Sequence, residues 1–281
     1  MTGTVRNGAY ARDASTTRDV EPSRLQQWWV LTSRSILPTL RNGELVTQIA
    51  ASIMFTVGFY IPLKKIGMYA TDMSSYAQYL MPLIALQAVS FAAISGAFRS
   101  ASDAVAGINR RFRAMPISRF VPLASRLTAS MYRCTVALVI SLICGYVIGF
   151  RFYNGVGGTV GFCLLALAIG LVLSLLGEVV GTVARNPDAT THMMMLPQLI
   201  FGLLSVGVQS AEAFPSWIQG FVRNQPISQF VYALRALAGD STPYAGETGW
   251  ATIGPAIAWI VGLLAVLMMA YAFTSSEKVK K

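Results

Sequence analysis

Apolar residues in this chain gather in six runs, 45–63, 79–98, 127–150, 160–183, 193–208 and 253–273, separated by segments rich in charge and turn formers. A helix rises about 1.5 Å per residue, so crossing a hydrocarbon layer of about 30 Å takes roughly 20 residues. Within the runs the apolar positions cover the whole helix circumference instead of one stripe, as burial in lipid and against neighbouring helices requires. The pattern predicts an all-α integral membrane fold with six transmembrane helices. It sets a transmembrane domain at 22–273 between a polar tail, 1–21, and a short basic tail, 274–281.

Three further segments have helical periodicity without the length or continuity to cross. In 22–40, Leu25, Trp28, Trp29, Ile36 and Leu40 recur at helical spacing while Arg24, Arg34 and Arg41 interrupt any apolar run. That predicts an interfacial helix with tryptophans at headgroup level, and the pattern leaves open whether it is more than an anchor. Between the second and third runs, Val105, Ile108, Phe112 and Met115 fall at i, i+3, i+7 and i+10; Ser102 or Asp103 can cap the helix and Pro116 can end it. With Arg110, Arg111 and Arg113 around it, this is an apolar ridge with a basic flank, suited either to a groove on a soluble partner or to the membrane surface. In 211–237, Phe214, Trp217, Ile218 and Phe221 form one face; Ile227, Phe230, Val231 and Leu234 repeat it after a break at Asn224, Gln225 and Pro226. Each half is too short to cross, so the segment predicts a re-entrant hairpin or an interfacial pair before the last span.

Charge adds sidedness. The chain is 54% hydrophobic and 12% charged with a net charge of +10, too little polar material for an ordinary soluble surface. Residues 1–24 carry Arg6, Arg12 and Arg18 and lack the apolar centre of a secretory signal, so the N-terminus is expected in the cytoplasm. Six crossings then bring the C-terminus and the loops around Arg110 and Asn186 to the same side. All but five of the 22 Lys and Arg lie there, the exceptions being Lys64, Lys65, Arg151, Arg223 and Arg235, which is the positive-inside bias of a plasma-membrane protein. The positive balance therefore reads as topology and attraction to anionic headgroups, not as a nucleic-acid surface.

Candidate chemistry is sparse. Cys134, Cys144 and Cys163 all fall in spans without CxxC spacing, and the single histidine, His192, cannot build a metal site. No GxxxxGK[ST] phosphate loop, acidic DxxD pair, HExxH or GxSxG motif occurs, so the chain has no recognisable catalytic residues, metal or cofactor of its own. Glu178 is the one acid inside a span and is expected near the inner boundary, paired with a basic residue or placed on a substrate path. Arg133 is expected to snorkel to the inner surface. Gly177 and Gly181 have the small-xxx-small spacing of a close helix approach, a weak sign of a dimer seam. An ion-coupled carrier using Glu178 is the alternative to a transporter powered by a partner.

Six spans, a leading amphipathic helix, an amphipathic helix after the second span and a hairpin before the sixth together resemble an ABC-2 type exporter permease. The acidic residue, glycine and proline of that family's loop are matched by Asp103, Gly107 and Pro116, with Val105 where a second acid is usual. Pro215, Ser216 and Trp217, then Asn224, Gln225 and Pro226, then Ala233, Leu234 and Arg235 resemble the outer signature, with Gln225 splitting an Asn-Pro pair. Stretches 58–62 (GFYIP), 86–94 (LQAVSFAAI), 144–152 (CGYVIGFRF), 185–189 (RNPDA) and 221–240 are similar to the daunorubicin-resistance branch, the DrrB type of actinobacterial lipid and drug exporters, over 28–273. The resemblance implies a half-transporter driven by a DrrA-like ATPase that binds ATP and Mg, completed by a DrrC-like paralogue or a second copy. It implies a coupling helix with Asp103, Val105, Gly107, Ile108, Arg111, Phe112, Met115 and Pro116, and a connector helix with Trp28, Trp29 and Arg34. It implies a second cytoplasmic contact at Asn186, Pro187 and Asp188, and an outer hairpin with Trp217, Phe221, Asn224, Pro226, Phe230 and Arg235. Apolar cargo, a hydrophobic lipid or amphiphilic drug, would pass near Phe55, Tyr60, Glu178, Met193, Met194 and Met195.

Overall fold

In the computed structural model the described residues are 23–41, 43–67, 73–114, 120–184, 186–242 and 245–277. All their regular structure is helical: α1 Arg24–Arg41, α2 Glu44–Gly67, α3 Tyr76–Val105, α4 Ile108–Ala114, α5 Phe120–Ile148, α6 Gly155–Val183, α7 Pro187–Leu203, α8 Ser216–Asn224, α9 Pro226–Ala238 and α10 Trp250–Glu277. Five of these, α2, α3, α5, α6 and α10, are long and apolar enough to cross a membrane. Several outrun the apolar segments that announce them. The second run stops before Arg99 and the third starts after Arg126, whereas α3 continues to Val105 and α5 begins at Phe120. Charges at those ends pair with one another, so they need not terminate the helices.

α3 is the axis of the bundle. Its most apolar window is 89% buried, against 50% or less for the other four, and it packs against α2, α5, α6 and α7. The outer faces of α2 and α10 remain apolar and open, with Val46, Met54 and Ile61 on one and Trp259, Val261 and Phe273 on the other, surface that only lipid or another membrane helix can cover.

The tightest seam, α3 on α6, is made by small residues. A Cβ added to Gly177 would lie 2.9 Å from the Ala97 Cβ; one added to Gly181 would lie 2.8 Å from the Ser100 Cβ and 2.9 Å from the Ala97 carbonyl. Gly177 and Gly181 therefore serve a contact inside the chain, which corrects their reading as a seam between two copies. Close backbone approach matters here because association in lipid relies on packing instead of expulsion of water. Gly177→Val is expected to cost about 1–3 kcal/mol by overpacking. Gly157→Ala, at a helical position with nothing within 4 Å, should leave the thermal midpoint in detergent equal to or slightly above the parent's.

α3 does not end where the sequence suggests a new helix begins. Ser102 and Asp103 lie in its last turn, so the expected cap at either residue is corrected. The turn is made by Gly107, whose φ of +71° is one that a residue with a Cβ rarely adopts. α4 then restarts at Ile108 with seven residues. Met115 and Pro116 lie outside the described residues.

The fifth run also differs from its expectation. α7 begins at Pro187, six residues before the run, because Asn186 caps it by accepting hydrogen bonds from the amides of Asp188 at 2.9 Å and Ala189 at 3.3 Å. It stops at Leu203 after 17 residues, and the chain continues without a long helix to Ser210. Side chains satisfy this irregular backbone. Tyr79 donates to the Val206 carbonyl at 2.8 Å, Ser228 accepts from the Val206 amide at 3.2 Å, and Gln225 donates to the carbonyls of Phe201 and Leu204 at 3.2 and 2.5 Å. Gln225, the residue that departs from the usual Asn-Pro pair, thus caps the end of α7.

Candidate functional site

At the α4 end of the bundle, charges from four helices and polar groups from two more meet below the surface. Arg126 of α5 donates to Asp103 at 3.0 Å near the end of α3, to the Asn109 side chain at 2.6 Å on α4, and to Glu178 at 3.4 Å on α6. Ser100 of α3 donates to the same Glu178 oxygen at 3.0 Å. Arg99 of α3 binds Glu44 at the start of α2 through two nitrogens, one at 3.1 Å, and reaches the Ser35 carbonyl of α1 at 3.5 Å. Arg133, two turns further along α5 than Arg126, donates to Ser130 at 2.8 Å and stands 3.7 Å from Glu44.

The physical reason for such a cluster is desolvation. Glu178 and Arg133 side chains are 4% and 3% exposed, and charges so placed are tolerable only when each finds opposite charge and donors or acceptors. Glu178 thus takes a basic partner, Arg126. Arg133 does not snorkel as expected; it is folded inward between α2, α3 and α5, because Glu44 and Ser130 are available there and the surface is not. Sequence reading missed Glu44, Arg99, Asn109 and Arg126. A signal existed, since Glu44, Arg99 and Arg126 each lie at the very edge of an apolar run, two arginines and an acid at matching depth.

These residues wall a cavity of about 860 Å³ bounded by α1, α2, α3, α4, α5, Glu178 of α6 and the start of α7. Ile108 and Phe112 of α4 turn toward it and are half-buried, whereas Val105 and Arg111 are exposed on the outside. The expected ridge is therefore split by the Gly107 turn into an inward anchor and an outward face. Arg34 of α1 lines the cavity mouth, and Trp28 pins α1 to α5 by donating to Thr128 at 3.3 Å. Trp29 is exposed. Asp188 and His192 line the cavity from α7; Asn186 and Pro187 form its cap and first turn.

Of the residues expected on a substrate path, only Glu178 and Met195 share the cavity, and the others are scattered. Phe55 packs against Phe59 and Phe91, the Tyr60 hydroxyl donates to the Ile148 carbonyl at 3.4 Å, Glu178 lies in the charge cluster, Met194 is buried against Ile94 and Ala97, and Met193 and Met195 are exposed.

At the opposite end of α3, α8 and α9 form a pair broken at Gln225. Trp217 and Phe221 are exposed, Asn224 donates to the Gly220 carbonyl at 2.9 Å, Pro226 opens α9, and Phe230 is buried. Arg235, 6% exposed, donates to the carbonyls of Tyr79 and Val206 at 3.0 and 3.2 Å and lies 3.8 Å above the Tyr79 ring, a cation–π contact that knits α9 to α3. Beyond α9, Asp240 accepts from the Ser74 amide at 2.9 Å and hydroxyl, the Ser241 amide at 2.8 Å and the Thr242 hydroxyl at 2.6 Å.

Partial burial pushes the Asp240 carboxyl up, but the hydrogen bonds from Ser74, Thr242 and Ser241 outweigh it and hold the group below the usual carboxylate range. A depressed folded value means this latch contributes fully above the unfolded carboxylate pKa of about 3.9 and fades as pH falls through the folded value. Thermal midpoints should be flat in this respect from pH 5 to 8 and drop below pH 4. Asp240→Ala should lower the midpoint at pH 7 by about 2–4 °C and make that acid drop smaller.

A family profile described as ABC-2 type transporter matches residues 26–238, taking in every helix of the charge cluster and the α8–α9 pair. The chain is 50% identical over 251 residues to the doxorubicin resistance ABC transporter permease protein DrrB of Mycobacterium tuberculosis H37Rv, covering 87% of each. It is 29% identical over 202 residues to the daunorubicin resistance ABC transporter permease protein DrrB1 of Streptomyces coeruleorubidus, covering 71% of this chain and 69% of the relative. It is also 29% identical over 225 residues to the probable doxorubicin resistance permease DrrC of Mycobacterium tuberculosis H37Rv, covering 78% and 74%. With the profile spanning most of the bundle and half the residues shared along nearly the full length of a permease, the chain belongs to the ABC-2 type transporter family, as its membrane-embedded permease subunit.

Proposed function

We propose that the chain moves hydrophobic lipids or amphiphilic drugs outward across the plasma membrane, using ATP hydrolysed by a separate DrrA-like subunit. A DrrC-like paralogue or a second copy completes the path, covering the open apolar face of α2 or α10. Both termini lie in the cytoplasm, α7 with its irregular continuation makes the sixth crossing, and α8–α9 dips into the outer leaflet as a re-entrant hairpin. α4 is the coupling helix, α1 the connector helix, and the Asn186–Pro187–Asp188 turn a smaller second contact. The reading is supported by the basic bias of the α4 end, by the drug names of the relatives, and by one observation above all. Arg126 ties Asn109 of the short helix to Glu178 of the bundle core, so a displacement of α4 is felt by α3, α5 and α6 together.

An ATPase drives transport only if it binds two permease states with different free energy. α4 offers such a lever: its outer face can meet a partner while Ile108 and Phe112 hold it to the bundle. The test is reconstitution in liposomes. The chain with its ATPase and second permease should accumulate doxorubicin or a lipid probe only with ATP. Accumulation by the lone chain under a proton gradient, abolished by Glu178→Gln, would favour an ion-coupled carrier instead.

A further inference from the structure

The cavity at the α4 end is lined by four arginines and four acids, and their pairing is uneven. Glu44 is bound by Arg99, and Asp103 and Glu178 are bound by Arg126. Asp188 sits in the first turn of α7, where a carboxylate is matched by its own helix dipole. The cations with donor capacity to spare are Arg133, which shares Glu44 with Arg99, and Arg34. Arg133 is 3% exposed, its Nε makes no hydrogen bond among the described residues, and its ion-pair partner Glu44, 3.7 Å away, is bound more closely by Arg99. A buried guanidinium with donors to spare needs an acceptor, and planar oxyanions suit it best. Arg34 is exposed at the cavity mouth and pairs with no acid among the described residues. Phe91, Phe98 and Met195 supply apolar lining beside these charges, and the volume of about 860 Å³ lies in the range of small-molecule sites.

We infer that this cavity holds the phosphate headgroup of an anionic phospholipid, with Arg133 at its depth and Arg34 at its mouth donating to phosphate oxygens and an acyl chain lying along Phe91 and Phe98. The inner-leaflet location of that lipid rests on the sidedness proposed above; recognition of the phosphate does not. Such a lipid would fill the space between connector helix, coupling helix and bundle, and so set how firmly α4 is held.

Native mass spectrometry of the full-length chain in mild detergent, titrated with phosphatidylglycerol or phosphatidylcholine of the same acyl chains, tests this. One tight phosphatidylglycerol adduct is expected, favoured at least tenfold over phosphatidylcholine. The preference should fall to threefold or less in Arg34→Gln, an exposed position whose change leaves folding intact, and in Arg133→Lys, which keeps the charge but loses the fork. No preference, or a preference unaltered in Arg34→Gln, overturns the inference. Displacement of the lipid by millimolar inorganic phosphate overturns it too, by assigning the site to a free anion. If accessibility labelling moved this end of the molecule to the outer side, the proposed sidedness would fail while the lipid preference stood.

Discussion

Arg126→Ala is expected to destabilise the bundle by about 3–5 kcal/mol, the usual cost of removing one partner from a buried ion pair. The reason is Glu178, 4% exposed, which would keep only Ser100 as a hydrogen-bond donor among the described residues. In thermal unfolding monitored by tryptophan fluorescence, the variant should melt well below the parent. The informative companion is Arg126→Met with Glu178→Met, which removes both charges and leaves apolar volume in their place. That pair should recover most of the lost stability, since desolvated ion pairs contribute little net energy relative to packed apolar groups. It should not recover ATP-driven export, because Asn109 and Asp103 would no longer be tied to α6. Recovery of both stability and export would show that the cluster is a folding device alone and that force does not pass through it.

The second large effect is expected at α4. Phe112→Asp should reduce cargo-stimulated ATP hydrolysis by the assembled complex at least tenfold, a coupling loss of about 1.4 kcal/mol or more. Phe112 is half-buried against the cavity, so a carboxylate there detaches the inward face of the helix, and Ile108→Asp should act in the same way. Arg111→Glu probes the outward face. That side chain is exposed, so the isolated chain should melt at the parent temperature while its affinity for the ATPase falls. If Phe112→Asp left stimulated hydrolysis untouched in a correctly folded complex, α4 would not be the lever.

Much of this architecture could be read from the chain. The apolar runs, wrapped all round their helices, marked the five helices long and apolar enough to cross, because lipid leaves a backbone no other way to satisfy its hydrogen bonds. The short helices could be seen as well, since periodicity survives in segments too brief to span. Their limits could not. Ser102 and Asp103 look like caps in isolation, yet Arg126 neutralises Asp103 from another helix, and α3 runs on until Gly107 turns the chain. Gly177 and Gly181 likewise show only that something comes close. Spacing carries no information on whether that neighbour is another copy or, as here, α3.

What the linear order of residues determined is the solvent each segment must face, because that depends on local composition. Only the tertiary structure decided which charges meet. Glu44, Arg99, Arg126, Arg133 and Glu178 come from four helices spread over more than 130 positions of the chain, and a buried charge is tolerable or ruinous according to what packs a few ångströms away. That distance is set by how the helices lie against one another, which no single segment contains.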